Sequence, residues 1–129
     1  MTQGLLLFAH GARDPRWSLP FEDVARRIRV VRPGLAIELA FLEFMTPDLV
    51  EAGRRLTDAG CELVDVLPLF LGAGGHVRKD LPALIERLAE LHPAVRWRLR
   101  PAIGEADAVL AAMAAEALRL LGEPDDGRQ

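Results

Sequence analysis

The sequence predicts an α/β fold of three layers, in which helices cover both faces of a central parallel four-stranded sheet. Two observations carry this prediction. Continuous apolar runs alternate four times with stretches whose apolar residues recur at helical spacing. The apolar runs are short and contain few polar residues, as expected of parallel strands buried on both faces. Because the connections are also short, right-handed strand–helix–strand crossovers in one sheet are favoured.

The first half of the chain contains two strand–helix units. Residues 3–9 form the first strand, and a helix follows from Ser18, which can cap it, until Pro33-Gly34 ends it. The second strand is expected at 35–44. Thr46-Pro47 then supplies a cap and a first-turn proline for a helix that runs to about Ala59.

The second half repeats this order. A third strand is expected at 62–70, then a glycine-rich loop at 71–76, and then a helix from near Asp80 that ends at His92-Pro93. A short fourth strand, 95–99, precedes the last helix, 105–121. We expect that helix to bury one apolar stripe, which consists of Val109, Leu110, Met113, Ala117 and Leu121. We find no repeat or linker, so 1–121 should be a single domain and 122–129 a polar tail.

The composition is that of a globular protein. Half of the 129 residues are hydrophobic and 27% are charged, a balance that disordered chains lack. The net charge of −3 argues against a nucleic-acid partner, and no apolar run is long enough to span a membrane. The single cysteine, Cys61, and the lack of a secretory signal predict a cytoplasmic protein.

Topology sorts the chemically active residues between the two ends of the sheet. Ligands of open parallel sheets bind beyond the carboxyl ends of the strands. His10 directly follows the first strand, Glu43 lies near the end of the second, and His76 follows the third. If the first and third strands are neighbours, the two histidines face each other. Cys61 and His92 precede their strands and should lie at the opposite end.

These residues leave several chemical roles open. Imidazoles bind divalent iron, cobalt, nickel or zinc, and they can also accept a proton near neutral pH. Each histidine could equally cap a loop or bond to the backbone. A carboxylate such as Glu43 at the end of an apolar strand could be shielded and act as a base or ligand, or could simply be exposed.

Two further features flank the histidines. Gly72, Gly74 and Gly75 let backbone amides approach a ligand, although a tight turn with positive φ would explain them too. Four cations lie beside the same loops and could hold a substrate with several carboxylates, or could be ordinary solvated surface residues. These cations are Arg13, Arg16, Arg78 and Lys79.

Three segments resemble a known family. LLLFAHGARDPRW, AFLEFMTPDL and VDVLPLFLGAGGHVRKDLP are together similar to the sirohydrochlorin chelatases, the class II chelatases of cobalamin and sirohaem synthesis. The resemblance runs in order from about Gln3 to Pro82, and its most specific part is 68–82. One departure is Ala12, where the family usually has serine, so a hydroxyl is lost but neither imidazole.

The resemblance implies a chelatase-like fold and the insertion of a divalent metal, namely cobalt, iron or nickel, into sirohydrochlorin. The metal is then a substrate, and neither ATP nor an organic cofactor is needed. His10 and His76 would bind the metal and help to accept the pyrrole protons, and Glu43 would assist. The substrate's carboxylates would lie near Arg13, Arg16, Gly74, Gly75, Arg78 and Lys79. The short single-copy form of this family also implies a homodimer.

Two rival functions remain at this point. The chain could carry a metal or tetrapyrrole without catalysing insertion, in which case binding would be stoichiometric and without turnover. Alternatively, His10 with Arg13 and Arg16 could form a phosphohistidine site. That site needs the two arginines to converge on one phosphate, and it leaves the His76 loop without a role.

Overall fold

The computed structural model describes residues 2–72 and 74–122, with 75–78 described only in their backbone. Its sheet has four parallel strands in the order β2-β1-β3-β4, which confirms the predicted sheet and makes β1 and β3 neighbours. The strands are β1 (Gln3–Ala9), β2 (Ala36–Phe41), β3 (Leu63–Pro68) and β4 (Arg96–Leu99).

In the described ranges, three α-helices and one short 3₁₀ turn connect the strands, and a second 3₁₀ turn and a fourth helix follow β4. The helices are α1 (Leu19–Val31), α2 (Leu49–Asp58), α3 (Gly75–Leu91) and α4 (Asp107–Leu121). The turns are Pro15–Ser18 and Ile103–Glu105. Among the described residues, no helix is both long and apolar enough to cross a bilayer. Of the predicted tail, 122–129, only Gly122 belongs to the described residues.

One face of the sheet is closed. Leu6, Phe8, Val64 and Val66 are completely buried there, beneath α2 and α3. The two helices contribute buried side chains to the same cluster, including Leu56 and Leu88. We call this side the closed face, because the chain's own helices remove its apolar residues from water.

The other face is covered only in part. Ala25 of α1 packs on Leu7 and Ile37, and all three are buried. Further along the same face, Leu5 and Leu67 are only half-buried. We call this side the open face, because among the residues that the structure describes only α1 contributes buried helix residues there.

Two element boundaries differ from the prediction in the middle of the chain. β2 ends at Phe41, so Glu43 lies in the loop beyond the strand. α2 begins at Leu49 with Asp48 as its cap, and the Asp48 carboxylate accepts a hydrogen bond from the N–H of Glu51 at 2.9 Å. A carboxylate is as effective a cap as the predicted threonine, and it lies closer to the apolar stripe.

α3 begins at Gly75 and not near Asp80, so Gly75, His76, Arg78 and Lys79 belong to its first turns. The sequence prediction placed the start where the apolar stripe begins. The sequence of the first turn, Gly-His-Val-Arg, contains no apolar stripe, so periodicity alone cannot locate the start of the helix. Gly74 caps the helix with an extended backbone, φ −63° and ψ 160°.

The predicted burial of α4 is wrong. No residue of the helix is buried: Leu110 is 51% exposed, Met113 48% and Leu121 75%. The helix packs mainly against the 3₁₀ turn that precedes it. Helical spacing shows that a stripe exists but does not show which surface covers it.

Candidate active site at the carboxyl end of the sheet

His10 lies at the centre of the carboxyl end of the sheet, directly after the inner strand β1. Its imidazole packs on the ring of Phe70, with ring centroids 4.3 Å apart and planes at 36°. Phe70 is buried and packs in turn on Phe8, with ring centroids 5.9 Å apart. The imidazole therefore rests on a fixed aromatic support, although His10 itself is exposed. Exposure and support together suit a ligand that must meet an incoming metal.

The loops after β1 and β2 are locked together. The N–H of Glu43 donates to the carbonyl of His10 at 3.0 Å. Gly11 has φ +89°, and a Cβ added there would lie 1.9 Å from the carbonyl oxygen of Glu43. Only glycine fits both restrictions, so Gly11 fixes the backbone of Glu43 beside that of His10. The Glu43 side chain is exposed, which favours the second of the two environments considered for it.

Arg13 lies over the next residue of the β2–α2 loop. Its guanidinium carbon is 4.5 Å from the centroid of the Phe44 ring, which is cation–π geometry. Phe44 is 56% exposed and has φ +65°, a left-handed backbone conformation that residues other than glycine seldom adopt.

Arg16 is paired within its own turn. Its Nε and Nη2 donate to the two carboxylate oxygens of Asp14 at 3.2 Å and 2.9 Å. This hydrogen bonding holds the pKa of Asp14 below its usual value. The two arginines of the loop therefore have different partners, Asp14 and Phe44. The phosphohistidine hypothesis requires both to bind one phosphate, which these separate partners do not favour.

The third strand brings its own loop to the same end. The N–H of Gly104 donates to the carbonyl of Phe70 at 2.9 Å, and a Cβ on Gly104 would lie 1.9 Å from the carbonyl oxygen of Leu71. This close approach of two backbones fastens the chain after β4 against the chain after β3.

The loop that leads into α3 is the second half of the candidate site. Gly72 and Gly74 lack positive φ, and no atom of the described chain lies within 4 Å of a Cβ added to either. The chain's own turn therefore does not require these glycines, whereas a ligand could use the space. His76 is the second residue of α3. The structure describes only the backbone of Gly75, His76 and Arg78, so the orientation predicted for the imidazole lies outside the described residues. Lys79 is exposed.

A cleft of about 570 Å³ adjoins the locked loops. Phe44, Met45 and Thr46 line one side of it, and α1 supplies Glu22 and Arg29 on the other. Its volume is in the range of pockets that hold small organic ligands.

The described side chains contain no group of three or more histidine, cysteine or acidic residues that could enclose a metal. A structural metal usually has four protein ligands, so this part of the chain offers no such site. At the opposite end of the sheet, Cys61 is buried, and burial raises the pKa of its thiol. His92 caps α3 there, with its N–H donating to the carbonyl of Leu88. The predicted separation of these two residues from His10 is confirmed.

Sequence reasoning missed Phe70 as the support of His10, the role of Gly11, and the conformation of Phe44. A glycine immediately after a strand-end histidine was a usable signal for the close approach at Gly11. Nothing local in the sequence identified the aromatic pair or the left-handed phenylalanine, because both depend on residues from a different strand.

The comparisons with known proteins agree on one family. The family model described as CbiX matches residues 4–120. A sirohydrochlorin cobaltochelatase of Sulfurisphaera tokodaii is 32% identical over 87 residues, 66% of this chain and 69% of that protein. Another, from Methanococcus maripaludis, is 30% identical over 83 residues, 64% of this chain and 58% of its own length. The match thus spans less than two thirds of some of these relatives.

Two solved structures share the fold. The CbiX protein of Marinobacter aquaeolei VT8 superposes with a TM-score of 0.81 at 37% identity, covering 92% of this chain and 97% of that one. SirB from Bacillus subtilis with Fe³⁺ has a TM-score of 0.81 at 25% identity, covering 96% of this chain but 49% of SirB. With the family model matching nearly the whole described sheet and its helices, the chain belongs to the CbiX family.

Proposed function

We propose that this protein is a chelatase that inserts a divalent metal into sirohydrochlorin. The observation that carries the proposal is the position of His10, exposed and supported by Phe70 at the centre of the carboxyl end of the sheet. The sequence relatives named sirohydrochlorin cobaltochelatase support it. The helix that bears His76 begins beyond β3, the strand next to β1.

In this mechanism, His10 and His76 bind the incoming metal with open coordination. Two imidazoles leave positions free, so the metal can pass to the macrocycle. Insertion replaces two pyrrole protons by one dication, and the reaction needs neither ATP nor an organic cofactor. Glu43, exposed in the adjacent loop, accepts these protons together with the histidines.

Binding of the macrocycle's carboxylates is assigned to the basic residues beside these loops. Arg13 and Lys79 have exposed side chains there, and Arg78 lies in the same turn of α3. Arg16 contributes from its pair with Asp14. The backbone at Gly74 and Gly75 is assigned to contact the edge of the macrocycle, for which the open space at Gly74 leaves room. Each contact is electrostatic, so substrate affinity should fall with salt.

Cobalt is the first metal to test, since the curated relatives are named for cobalt, and iron and nickel follow. We also propose that the reaction takes place in the cytoplasm, which suits the unpaired, buried Cys61.

The decisive experiment follows the absorbance of sirohydrochlorin anaerobically with cobalt, iron or nickel. We expect multiple turnovers by the wild type and a loss of at least about a hundredfold in His10→Ala and His76→Ala, because general acid–base and ligand groups contribute on that scale. His92→Ala is the matched control, since His92 lies at the opposite end of the sheet, and it should retain activity.

The outcomes separate the rival functions. Stoichiometric binding of sirohydrochlorin or metal without turnover would identify a carrier. Equal loss of activity in His10→Ala and His92→Ala would show that the effect is on folding and not on the site. A rate that does not change between pH 5 and 8 would contradict a role for the imidazoles.

We further propose that two copies of the chain associate. α4 exposes Leu110, Met113, Leu118 and Leu121 to water, an apolar surface that soluble helices normally bury. The open face of the sheet offers a place for it: a cleft of about 470 Å³ lies over Leu5 and Leu67. The exposed stripe and the uncovered face thus occur in the same molecule.

The partner's α4, and not the chain's own, is the proposed occupant of this cleft. The chain's own α4 leaves from a junction that Gly104 fastens against Leu71 and that the Glu105 carboxylate caps through the N–H of Ala102. Each α4 is about 22 Å long, and a stable interface buries roughly 1,200–2,000 Å² in total, so reciprocal packing of two such helices on two open faces is the proposed interface. SirB supports an assembly of two copies: this chain covers 49% of SirB, so SirB is about as long as two copies of this chain. A single-chain mass in solution would contradict it.

A further inference from the structure

Phe44 combines features that folding alone does not explain. Its backbone has φ +65°, and its ring is 56% exposed at the carboxyl end of the sheet. A left-handed conformation is unfavourable for a residue with a side chain, and glycine would avoid this cost. An exposed ring recovers little of the cost by burial. Such conformations are retained mainly where the surroundings impose them and the residue has a function.

The surroundings do impose it. The preceding residue, Glu43, is hydrogen-bonded through its N–H to His10, and its carbonyl oxygen is enclosed by the Gly11 turn. Phe44 is therefore presented from a rigid loop, next to the residues assigned to the reaction. One neighbour of its ring is the guanidinium of Arg13, 4.5 Å from the centroid.

Arg13 is otherwise a long, exposed side chain on a loop. Holding such a side chain in one position costs rotamer entropy. Stacking on an aromatic ring occupies the face of the guanidinium and leaves its N–H groups, which lie in the plane, able to bind a carboxylate. Arg16, three residues away, is more restricted, because its Nε and Nη2 already donate to Asp14 and fewer of its N–H groups remain for a carboxylate.

We propose that Phe44 is a positioning residue for substrate binding: its ring holds the Arg13 guanidinium where that group binds a carboxylate at the edge of the macrocycle. The inference rests on the proposed function, since it requires a substrate with peripheral carboxylates. It assigns Phe44 an effect on substrate affinity and none on the metal or on the chemical step.

The test is a double-mutant cycle of Phe44→Leu and Arg13→Gln, read in the KM and kcat of sirohydrochlorin and in the Kd of the metal-free macrocycle. Leucine keeps the apolar bulk but lacks the π face. In the wild-type background we expect Phe44→Leu to raise KM and Kd about two- to fivefold, with kcat and the KM of the metal unchanged. In the Arg13→Gln background it should have no further effect.

Two more variants separate positioning from a structural role. Phe44→Tyr keeps the aromatic ring and should have the wild-type KM for sirohydrochlorin. Phe44→Gly removes the backbone strain, so it should be at least as stable as Phe44→Leu while showing the same loss of affinity. Arg27→Ala, an exposed arginine of α1, is the control for loss of one positive charge.

The proposal is overturned if Phe44→Leu leaves both KM and Kd unchanged, or if it raises them equally with Arg13 absent, which would mean direct contact between the ring and the substrate. Failure of the proposed function has a different signature. A wild type that binds sirohydrochlorin without turnover contradicts catalysis alone, and the cycle is then read in Kd. A wild type that binds no sirohydrochlorin overturns both.

Discussion

The two faces of the sheet are formed by the same strands but differ in how completely helices cover them. On the closed face, Leu6, Phe8, Val64 and Val66 have no exposed surface beneath α2 and α3. On the open face, Leu5 and Leu67 remain half-exposed, and within the described ranges α1 alone buries helix residues on it. A second apolar surface, on α4, is equally uncovered.

The difference shows that hydrophobic patterning specifies burial without specifying the molecule that provides it. β1, β2 and β3 each carry apolar residues toward both faces, as strands between two helix layers do. The described chain completes only one of the two layers. The exposed stripe of α4 and the open face have complementary chemistry, and for that reason a second copy completes the other layer in our proposal.

The largest expected effect concerns the core itself. Leu88→Ala on the closed face should lower the free energy of unfolding by about 3 kcal/mol, because it removes a fully buried side chain and leaves a cavity. Leu67→Ala on the open face should cost about half as much in the monomer, since part of that side chain is already in water. Urea unfolding of both variants at low protein concentration measures the difference. Equal losses would contradict the distinction between the two faces.

A second prediction tests whether the open face is covered in solution. Amide hydrogen exchange in α4 should slow as protein concentration rises, because the helix is protected only when a partner binds it, whereas exchange in α3 should not change. Leu118→Glu should abolish the concentration dependence and leave a folded monomer, as Leu118 is 68% exposed in one chain. Arg119→Gln, on the same turn, is the control. Protection of α4 that is independent of concentration would place its contacts within one chain.

The smallest expected effect is a pH dependence on the open face. Arg98 donates to both carboxylate oxygens of Asp65, at 2.8 Å and 2.9 Å, and this hydrogen bonding lowers the pKa of Asp65. Because the folded-state pKa lies below that of the unfolded chain, the stabilisation is complete above the unfolded pKa and is lost as the pH falls through the folded one. Asp65→Asn should therefore be less stable than the wild type near pH 7, and the difference should shrink below about pH 4. A difference that stays constant down to pH 3 would exclude this source.

Much of the fold was predictable because it depends on local pattern. The four strands and their parallel arrangement follow from apolar runs, short connections and right-handed crossovers. The sequence left open whether β1 and β3 are neighbours, and the structure shows that they are. The errors lie where local pattern carries no information. α3 begins five residues early because its first turns bear no stripe, and α2 is capped by Asp48 where Thr46 was an equally good candidate.

The candidate site was predictable to the level of its residue types and its end of the sheet. His10 and Glu43 lie on adjoining loops, as topology required. The environment of each side chain was not predictable. The exposure of Glu43, the pairing of Arg16 with Asp14 and the stacking of Arg13 on Phe44 depend on distances between loops that the sequence does not encode locally.

The sequence by itself determined the class of fold, the order of the elements and which histidine lies away from the others, because periodicity and chain direction fix these locally. Only the tertiary structure decided that Phe70 supports His10, that Gly11 locks Glu43 to it, and that α4 is left uncovered by the described part of its own chain. Those features arise from packing between residues distant in sequence. Which distant surfaces meet depends on the shape of the whole molecule.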